Sequence, residues 1–245
     1  MSACALKVEL LRFTPEPEQL TALAARLCYS GATLSDLAEK VEASGQEAFL
    51  DGVVASGHLS VLEHASFTFA VEGVSRVLLA QLTRHRIASF SVQSQRYVSK
   101  ERGFDYVVPP AIAALGPQAL EEYAGQMETM HRWYCQWQAR LGGKGEEANQ
   151  DARFVLPGAC ETRLVLTMNA RELLHFFRLR CCNRAQWEIR ALADEMLAWC
   201  YRAAPSLFQT AGPPCLLGRC TEGKRACGRR AEALARMAAL KMPKP

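Results

Sequence analysis

The order of strand-like and helix-like segments constrains the fold of this chain most. Short stretches at 6–13, 67–71 and 163–168 alternate apolar and polar residues, which predicts strands, the first of them at a sheet edge. Segments with helical spacing are more numerous and lie at 16–29, 44–57, 75–86, 116–141, 169–177 and 185–204. Strands and helices do not alternate strictly, which disfavours a doubly wound parallel sheet. We predict an α+β fold: a mainly helical single domain around a small, mostly antiparallel sheet.

Three of these helices begin at recognisable sequence signals. Ser44, with Glu47 three residues later, forms a capping box that predicts a helix start. Asn169, with Glu172 at the third helical position, predicts another. Gly116-Pro117 opens the longest helix, because proline is favoured in a first helical turn. The last part of the chain is rich in Gly, Pro, Cys and Arg, and it ends in a short Ala- and Leu-rich helix.

The composition limits which classes of protein this chain can belong to. The chain has 245 residues, of which 49% are hydrophobic and 22% charged, as in an ordinary protein with a buried core. A net charge of +4 suits an anionic ligand but is too small to indicate nucleic-acid binding. No run approaches the roughly 18 apolar residues of a membrane span, and we see no secretory signal pattern. We interpret the ten scattered cysteines as reduced thiols and expect a cytoplasmic protein.

A cluster of cationic and hydrogen-bonding side chains lies at the end of the predicted helix 75–86 and extends to residue 96. Its members are Arg84, His85, Arg86, Ser94, Gln95 and Arg96. The helix dipole favours each cation at that end by only about 0.3–1 kcal/mol, and neighbouring like charges repel. Guanidinium groups, a hydroxyl and an amide together suit a small, planar, phosphorylated ligand. An isolated Arg-His-Arg triplet would ordinarily be a solvated, basic helix end.

A second candidate cluster lies on the helix that Asn169 caps. Arg171 and His175 are four residues apart and therefore share a face of that helix. The free N–H groups at a helix start favour an anion. Without the family motifs, the favoured interpretation is that Asn169 is a plain cap and His175 an ordinary histidine on an amphipathic helix.

Three motifs, in this order, resemble the flavin-dependent thymidylate synthases. Residues 57–64 match the family element G-H-x-[ST]-x-x-E-H. Arg84, His85 and Arg86, followed after seven residues by Ser94, match its R-H-R-x7-S motif, and Q-R-Y at 95–97 is also family-like. N-A-R-x3-H at 169–175 is followed by an arginine and by A-Q-W-E-I at 185–189. The resemblance runs from about residue 5 to 205, so we predict a synthase domain at 1–205 and a Cys- and Arg-rich extension at 206–245, packed on it or trailing from it.

The resemblance implies a set of site residues. Those matching residues near FAD and folate in the family are His58, Ser60, Arg84, His85, Arg86, Asn169, Arg171 and His175. Those matching the deoxyuridylate (dUMP) site are Gln81, Arg84, Ser94, Gln95, Arg96, Arg153 and Arg180. Arg180 corresponds to the arginine that faces the uracil ring. We predict that it is catalytic, because positive charge there stabilises the anion formed when the ring loses its N3 proton.

The implied reaction is methylation of dUMP to thymidylate (dTMP). 5,10-Methylenetetrahydrofolate supplies the carbon, and FAD reduced by NADPH supplies the hydride. The family works without a cysteine nucleophile and is a homotetramer with shared active sites; the aromatic residues Trp133, Tyr134 and Trp137 are compatible with such an interface. Ser91 and Val92 depart from the Asn and Glu often found there, which changes the hydrogen bonding available around the phosphate or the flavin.

Other readings remain open from sequence. Cys215, Cys220 and Cys227 could join Cys181 or Cys182 in a four-thiolate zinc site, although the spacing is not a standard zinc pattern. With the tail cations Arg219, Lys224, Arg225, Arg229 and Arg230, that site would form a zinc-dependent nucleic-acid-binding module. His58, Glu63 and His64 do not match the zinc motif H-E-x-x-H, so we predict no metal there. A flavoprotein that methylates another uracil, for instance in RNA, is the enzymatic alternative.

Overall fold

The computed structural model describes residues 1–143, 145–218 and 220–241. The strands β1 Lys7–Phe13, β2 Ser66–Ser75, β3 Ala88–Val92 and β4 Glu161–Asn169 form one antiparallel sheet in the order β1-β2-β4-β3. The helices are α1 Pro17–Leu27, α2 Leu34–Glu42, α3 Glu47–Ser56, α4 Arg76–Leu82, α5 Pro110–Ala113, α6 Pro117–Arg140, α7 Glu146–Ala152, α8 Ala170–Arg180, α9 Trp187–Ala203, α10 Pro205–Phe208 and α11 Arg230–Lys241. Short 3-10 helices lie at Leu59–His64, Arg153–Val155, Pro214–Leu216 and Gly223–Arg225. The predicted α+β class is confirmed.

Several predicted elements are confirmed individually. β1 lies at an edge of the sheet, and α6 begins at Pro117, directly after Gly116. Asn169 caps α8, because its Oδ1 accepts a hydrogen bond from the backbone N–H of Glu172 at 2.9 Å. Among the described residues, no helix is both long enough and apolar enough to span a membrane.

The helix predicted over 75–86 is shorter in the structure. α4 ends at Leu82, and the chain then enters β3, a strand that the sequence analysis did not predict. Directly after β3, the N–H of Gln93 donates to the carbonyl of Arg163 in β4 at 2.9 Å. Residues such as Phe90 and Val92 favour extended backbone, and pairing with β4 outweighs any tendency to continue the helix. The Arg-His-Arg triplet therefore lies in the connection between α4 and β3 and not in the last turn of a helix.

The capping box predicted at Ser44 and Glu47 is wrong, although the helix it announced exists. Gln46 is the N-cap of α3. Ser44 instead follows the end of α2, a helix that the sequence analysis missed, and its hydroxyl donates to the carbonyl of Lys40 at 2.9 Å. An N-cap side chain accepts from the N–H groups of the first helical turn, and Ser44 lies two residues before the N-cap position that Gln46 occupies.

The chain forms two compact units, each discontinuous in sequence. The first comprises 1–7, 71–84 and 90–165. Its core contains Phe104, Tyr106, Met127 and Cys160. Beside this core, Tyr134 is fully buried and its hydroxyl donates to Oδ1 of Asn149 at 3.1 Å, which ties α6 to α7.

The second unit comprises 8–70, 85–89 and the chain from 166 onward, and it has an aromatic core. The ring of Phe208 lies edge-on to Phe67, with 5.4 Å between ring centroids, and 6.0 Å from Phe177. Phe177 and its neighbour Phe176 are 5.8 Å apart. Such pairs each contribute about 0.5–1.5 kcal/mol beyond area burial. Because Phe176 and Phe177 belong to α8, this core holds one face of that helix and determines which face remains accessible.

Candidate functional site

α8 organises the candidate site in the second unit. Its start is held by the N–H of Ala170, which donates to the carbonyl of Ala65 at 2.7 Å. Its buried face consists of Leu173, Phe176 and Phe177. The opposite face carries Arg171, Leu174, His175 and Arg178, so α8 presents a cationic surface.

Arg171 has an acidic partner in the 3-10 helix at Leu59–His64. Its Nη1 forms an ion pair with Oε1 of Glu63. Both side chains are about half exposed, at 51% and 47%, so the pair contributes little to stability, about 0–1 kcal/mol. Its effect is to hold the Arg171 guanidinium at one place beside the start of α8.

Two cavities adjoin the cationic face of α8. The first, here called the α8 cavity, has a volume of about 510 Å³ and is lined by Leu59, Glu63, Ile87, Asn169, Arg171, Glu172, Leu174, His175 and Arg178. The second, here called the arginine cavity, has a volume of about 490 Å³ and is lined by His175, Arg178, Leu179, Arg180, Cys182, Arg184, Ala185, Pro214, Thr221 and Glu222. His175 and Arg178 line both. Each volume lies within the range of small-molecule sites, about 300–1,000 Å³.

A buried histidine connects these cavities. Nδ1 of His85 lies 3.1 Å from Oε1 of Glu172, and Nε of Arg180 donates to Nε2 of His85 at 3.1 Å. His85 is only 5% exposed and Glu172 7% exposed. The His85 ring also packs edge-on against Phe176, with 4.9 Å between centroids. The three polar side chains thus form one chain of contacts, Glu172–His85–Arg180, that ends in the arginine cavity.

The donors in this chain determine the state of the imidazole. A guanidinium N–H can only donate, so Nε2 of His85 must accept, and the ring proton lies on Nδ1, where it donates to Glu172. Burial lowers the pKa of His85 from 6.5; the hydrogen bond to Glu172 opposes that shift, and the charge of Arg180 adds to it. Burial and Arg180 together keep His85 neutral, with the tautomer that Arg180 requires.

The remaining six predicted residues belong to the first unit, and four of them have the following partners there. The buried amide of Gln95 donates to Sγ of Cys160 at 3.5 Å, and the hydroxyl of Ser94 accepts from the N–H of Arg96 at 3.1 Å. The Arg96 side chain forms an ion pair with Glu146. Nε of Arg153 donates to the carbonyl of Gln150 at 3.1 Å. Of the other two, Arg84 is exposed and Gln81 half-buried.

Comparison with known proteins identifies the family. Residues 9–206 match the family described as thymidylate synthase complementing protein. The chain belongs to the flavin-dependent thymidylate synthases. A protein of that name from Geobacter sulfurreducens is 52% identical over 228 residues, which cover 93% of this chain and 96% of the relative. Relatives of the same name from Nitratidesulfovibrio vulgaris and Clostridium tetani are 50% and 46% identical, and the alignments cover 91% and 93% of this chain and 94% and 95% of the relatives.

In the second unit, the structure brings together some of the residues that the family resemblance predicts for the synthase site. Asn169, Arg171 and His175 line the α8 cavity, and Arg180 lines the arginine cavity. The side chain of His85 lies behind them, with both ring nitrogens in contact with protein groups. Three further predicted residues of this unit, His58, Ser60 and Arg86, are exposed and are not among the residues that line either cavity.

Several residues that line these two cavities were not predicted from the sequence. Glu63 and Glu172 appeared only as a motif letter and as a helix-cap position, yet they pair with Arg171 and His85. Arg178 lies three residues after His175, and this helical spacing was a usable signal. For Arg184 no local signal exists, because its partner Glu222, 3.0 Å away, is distant in sequence.

The cysteines of the extension lie together but do not form a recognisable metal site. Cys182, Cys215, Cys220 and Cys227 line one small cavity of about 100 Å³, whereas Cys181 is buried next to Asp194. In the part of the chain that the structure describes, no group of three or more His, Cys, Asp or Glu residues is arranged to hold a metal ion.

The zinc-dependent nucleic-acid module therefore has no support. Of its predicted cations, Arg230 donates to the carbonyl of Cys215 at 2.8 Å and Arg229 to that of Asn183 at 3.1 Å, so both hold the extension in place. Lys224 and Arg225 lie in a short 3-10 helix, and Arg219 lies outside the described residues.

Proposed function

We propose that this flavin-dependent thymidylate synthase methylates dUMP to dTMP with 5,10-methylenetetrahydrofolate as carbon donor and NADPH as reductant of FAD. The observation that carries the proposal is the family match across residues 9–206, together with 52% identity to a synthase over nearly its whole length. We further propose that it acts in the cytoplasm as a homotetramer with shared active sites. Trp133 and Trp137, four residues apart on α6 and 50% and 47% exposed, are suited to such an interface.

The α8 cavity has the chemistry that FAD requires. Arg171, His175 and Arg178 offer cations and donors for the diphosphate, and Asn169 lies beside them. Leu59, Ile87 and Leu174 offer apolar contact for a flat ring system. The carboxylate of Glu63 does not oppose an anion at full strength, because Arg171 compensates its charge. The carboxylate of Glu172 accepts a hydrogen bond from the neutral His85 ring. When bound and reduced, the flavin supplies the hydride of the reaction.

The arginine cavity has the chemistry that a uracil anion requires. Arg178, Arg180 and Arg184 line it, and Glu222 forms an ion pair with Arg184. In our proposal the Arg180 guanidinium stabilises the negative charge that develops on the ring when N3 loses its proton, which makes C5 more nucleophilic. On the family resemblance alone, we also propose that Arg84, Arg96 and Arg153 bind the dUMP phosphate by charge-assisted hydrogen bonds, and that Gln81, Ser94 and Gln95 contribute neutral ones.

Arg180→Ala tests this function. We expect the turnover number to fall by about 100-fold or more, and the affinity for dUMP to fall far less. The reason is that the lost charge matters chiefly in the transition state. The measurement is dTMP formation by the FAD-loaded protein with dUMP, methylenetetrahydrofolate and NADPH, alongside equilibrium binding of dUMP. Arg202→Ala is the matched control, since Arg202 is exposed on α9 and packs over Trp199.

The same assay separates the alternatives. Equal losses of affinity and turnover in Arg180→Ala would contradict the assigned role. Methyl transfer to a uracil in RNA but not to dUMP would favour the other flavoprotein reading. Wild-type protein that retains no FAD would contradict the proposed cofactor.

A further inference from the structure

We propose that Glu172 and His85 position the guanidinium of Arg180, and that the His85 imidazole acts through Arg180 and not as a hydrogen-bonding partner of FAD. This inference rests on the proposed function, in which Arg180 acts on the uracil ring. It assigns a positioning role to Glu172, and it changes the role that family resemblance gives to His85.

The first argument is burial. Glu172 and His85 are 7% and 5% exposed, and burying a carboxylate and an imidazole is costly unless they are paired. Each of them has a partner at 3.1 Å, and the chain of contacts continues to Arg180. Arg180 is the member of the chain that lines the arginine cavity, so the buried pair is connected to that cavity through it.

The second argument is that both ring nitrogens of His85 are in use. Nδ1–H donates to Glu172 and Nε2 accepts from Arg180, and the ring packs edge-on against Phe176. A ligand could hydrogen-bond to the imidazole only by displacing one of these partners. The structure therefore gives His85 a position inside the protein and not on the wall of a flavin site.

The third argument concerns geometry at Arg180. A guanidinium is planar and rigid, so holding its Nε–H in one direction also sets the plane in which its terminal N–H groups donate. The acceptor must stay in place for this to work. Glu172 provides that constraint, because its carboxylate binds the opposite side of the His85 ring, and its own backbone N–H is held by the Asn169 cap.

Three variants test the proposal in the full-length, FAD-loaded protein. His85→Phe keeps a ring against Phe176 but removes both polar contacts, and we expect the turnover number for dTMP formation to fall about 10- to 100-fold, as for a misplaced catalytic group. Retention of FAD should be unchanged. His85→Gln places an amide oxygen where Nε2 accepts, and it should recover much of the lost turnover. Glu172→Gln keeps size and an acceptor but loses charge, and it should give a smaller loss.

A double-mutant cycle separates positioning from general damage. If His85 acts through Arg180, His85→Phe should cause no further loss of turnover in an Arg180→Ala background. Independent, multiplying losses would overturn the proposal. Loss of FAD affinity with unchanged turnover at saturating FAD would also overturn it, because His85 would then be a flavin ligand.

The proposal remains testable if His85→Phe does not fold, since His85→Gln and Glu172→Gln are smaller changes. Full turnover in Glu172→Gln would refute positioning, because the charge of the carboxylate that holds the His85 ring would then have no effect on Arg180. A wild-type protein that forms no dTMP would overturn the proposed function itself, which is distinguishable from an active wild type with unaffected variants.

Discussion

At the scale of single residues, His85 makes the site sensitive to acid. Burial is the largest cause of its lowered pKa, Glu172 opposes the shift, and the charges of Arg180 and His175 add to it. A protonated imidazole carries N–H on both nitrogens, so Nε2 can no longer accept from Arg180. Acid therefore removes one contact of the chain that ends at the arginine cavity.

We predict that this histidine makes folding stability fall in mild acid. Because the pKa of His85 is lower in the folded than in the unfolded protein, its contribution is complete above about pH 6.5 and is lost as the pH falls through the folded-state pKa. Urea unfolding between about pH 7.5 and pH 5 measures the free energy of unfolding. His85→Gln should show a weaker pH dependence than wild type. An identical dependence would contradict this assignment.

Residue types at the site were predictable, and their partners were not. Local patterns singled out His85 and Arg171, and the family resemblance added Arg180. Their partners Glu63 and Glu172 depend on how α8 lies against segments many residues away, and periodicity carries no information about such pairing.

At the scale of elements, the cap of α8 contributes to both stability and the site. We predict that Asn169→Ala lowers the free energy of unfolding by about 1 kcal/mol, because the N–H of Glu172 loses its acceptor. It should also weaken FAD retention, since Asn169 lines the α8 cavity. Urea unfolding and flavin absorbance after removal of free FAD measure the two effects.

Thr33→Ala is the matched control for the cap. Its hydroxyl accepts from the N–H of Asp36 at 3.2 Å at the start of α2, so its removal should cost a similar stability without loss of flavin. If both variants lost flavin equally, the effect would come from stability and not from the site.

Helix caps also show where local prediction succeeds. Asn169 was predicted correctly, since its Oδ1 accepts from the N–H of Glu172, whereas the Ser44 hydroxyl donates back to the carbonyl of Lys40 in α2. The sequence signal at Ser44 looked equally good. Which of two adjacent helices such a residue caps depends on the turn between them, which the four-residue pattern does not specify.

At the scale of the whole molecule, periodicity was sufficient for the fold class. It identified β1, β2 and β4 and most of the long helices, but it missed β3, whose five residues lie within the second motif. It gave no indication of the two units, because each unit is assembled from segments far apart in sequence. The domain boundary between residues 205 and 206 was placed where the family resemblance ends, and it stays a prediction.

The extension beyond that boundary belongs to the second unit, in which α11 packs on α9. Nε of Arg236 in α11 lies 2.9 Å from Oδ2 of Asp194, and the same guanidinium donates to the carbonyl of Cys181 and to Asn183. Burial raises the pKa of Asp194, and Arg236 opposes that shift. Arg236 thus compensates a carboxylate that is largely withdrawn from water.

We predict that Arg236→Ala lowers the free energy of unfolding by about 3 kcal/mol at neutral pH, because it leaves the Asp194 charge uncompensated. The loss should shrink in acid, where Asp194 is protonated, and Asp194→Asn in the same background should recover part of it. Arg202→Ala, which removes only a contact with Trp199, should cost at most about 1 kcal/mol. Urea unfolding of the four proteins measures these differences. A loss in Arg236→Ala no larger than in Arg202→Ala would mean that α11 is held by apolar packing on α9 and not by this ion pair.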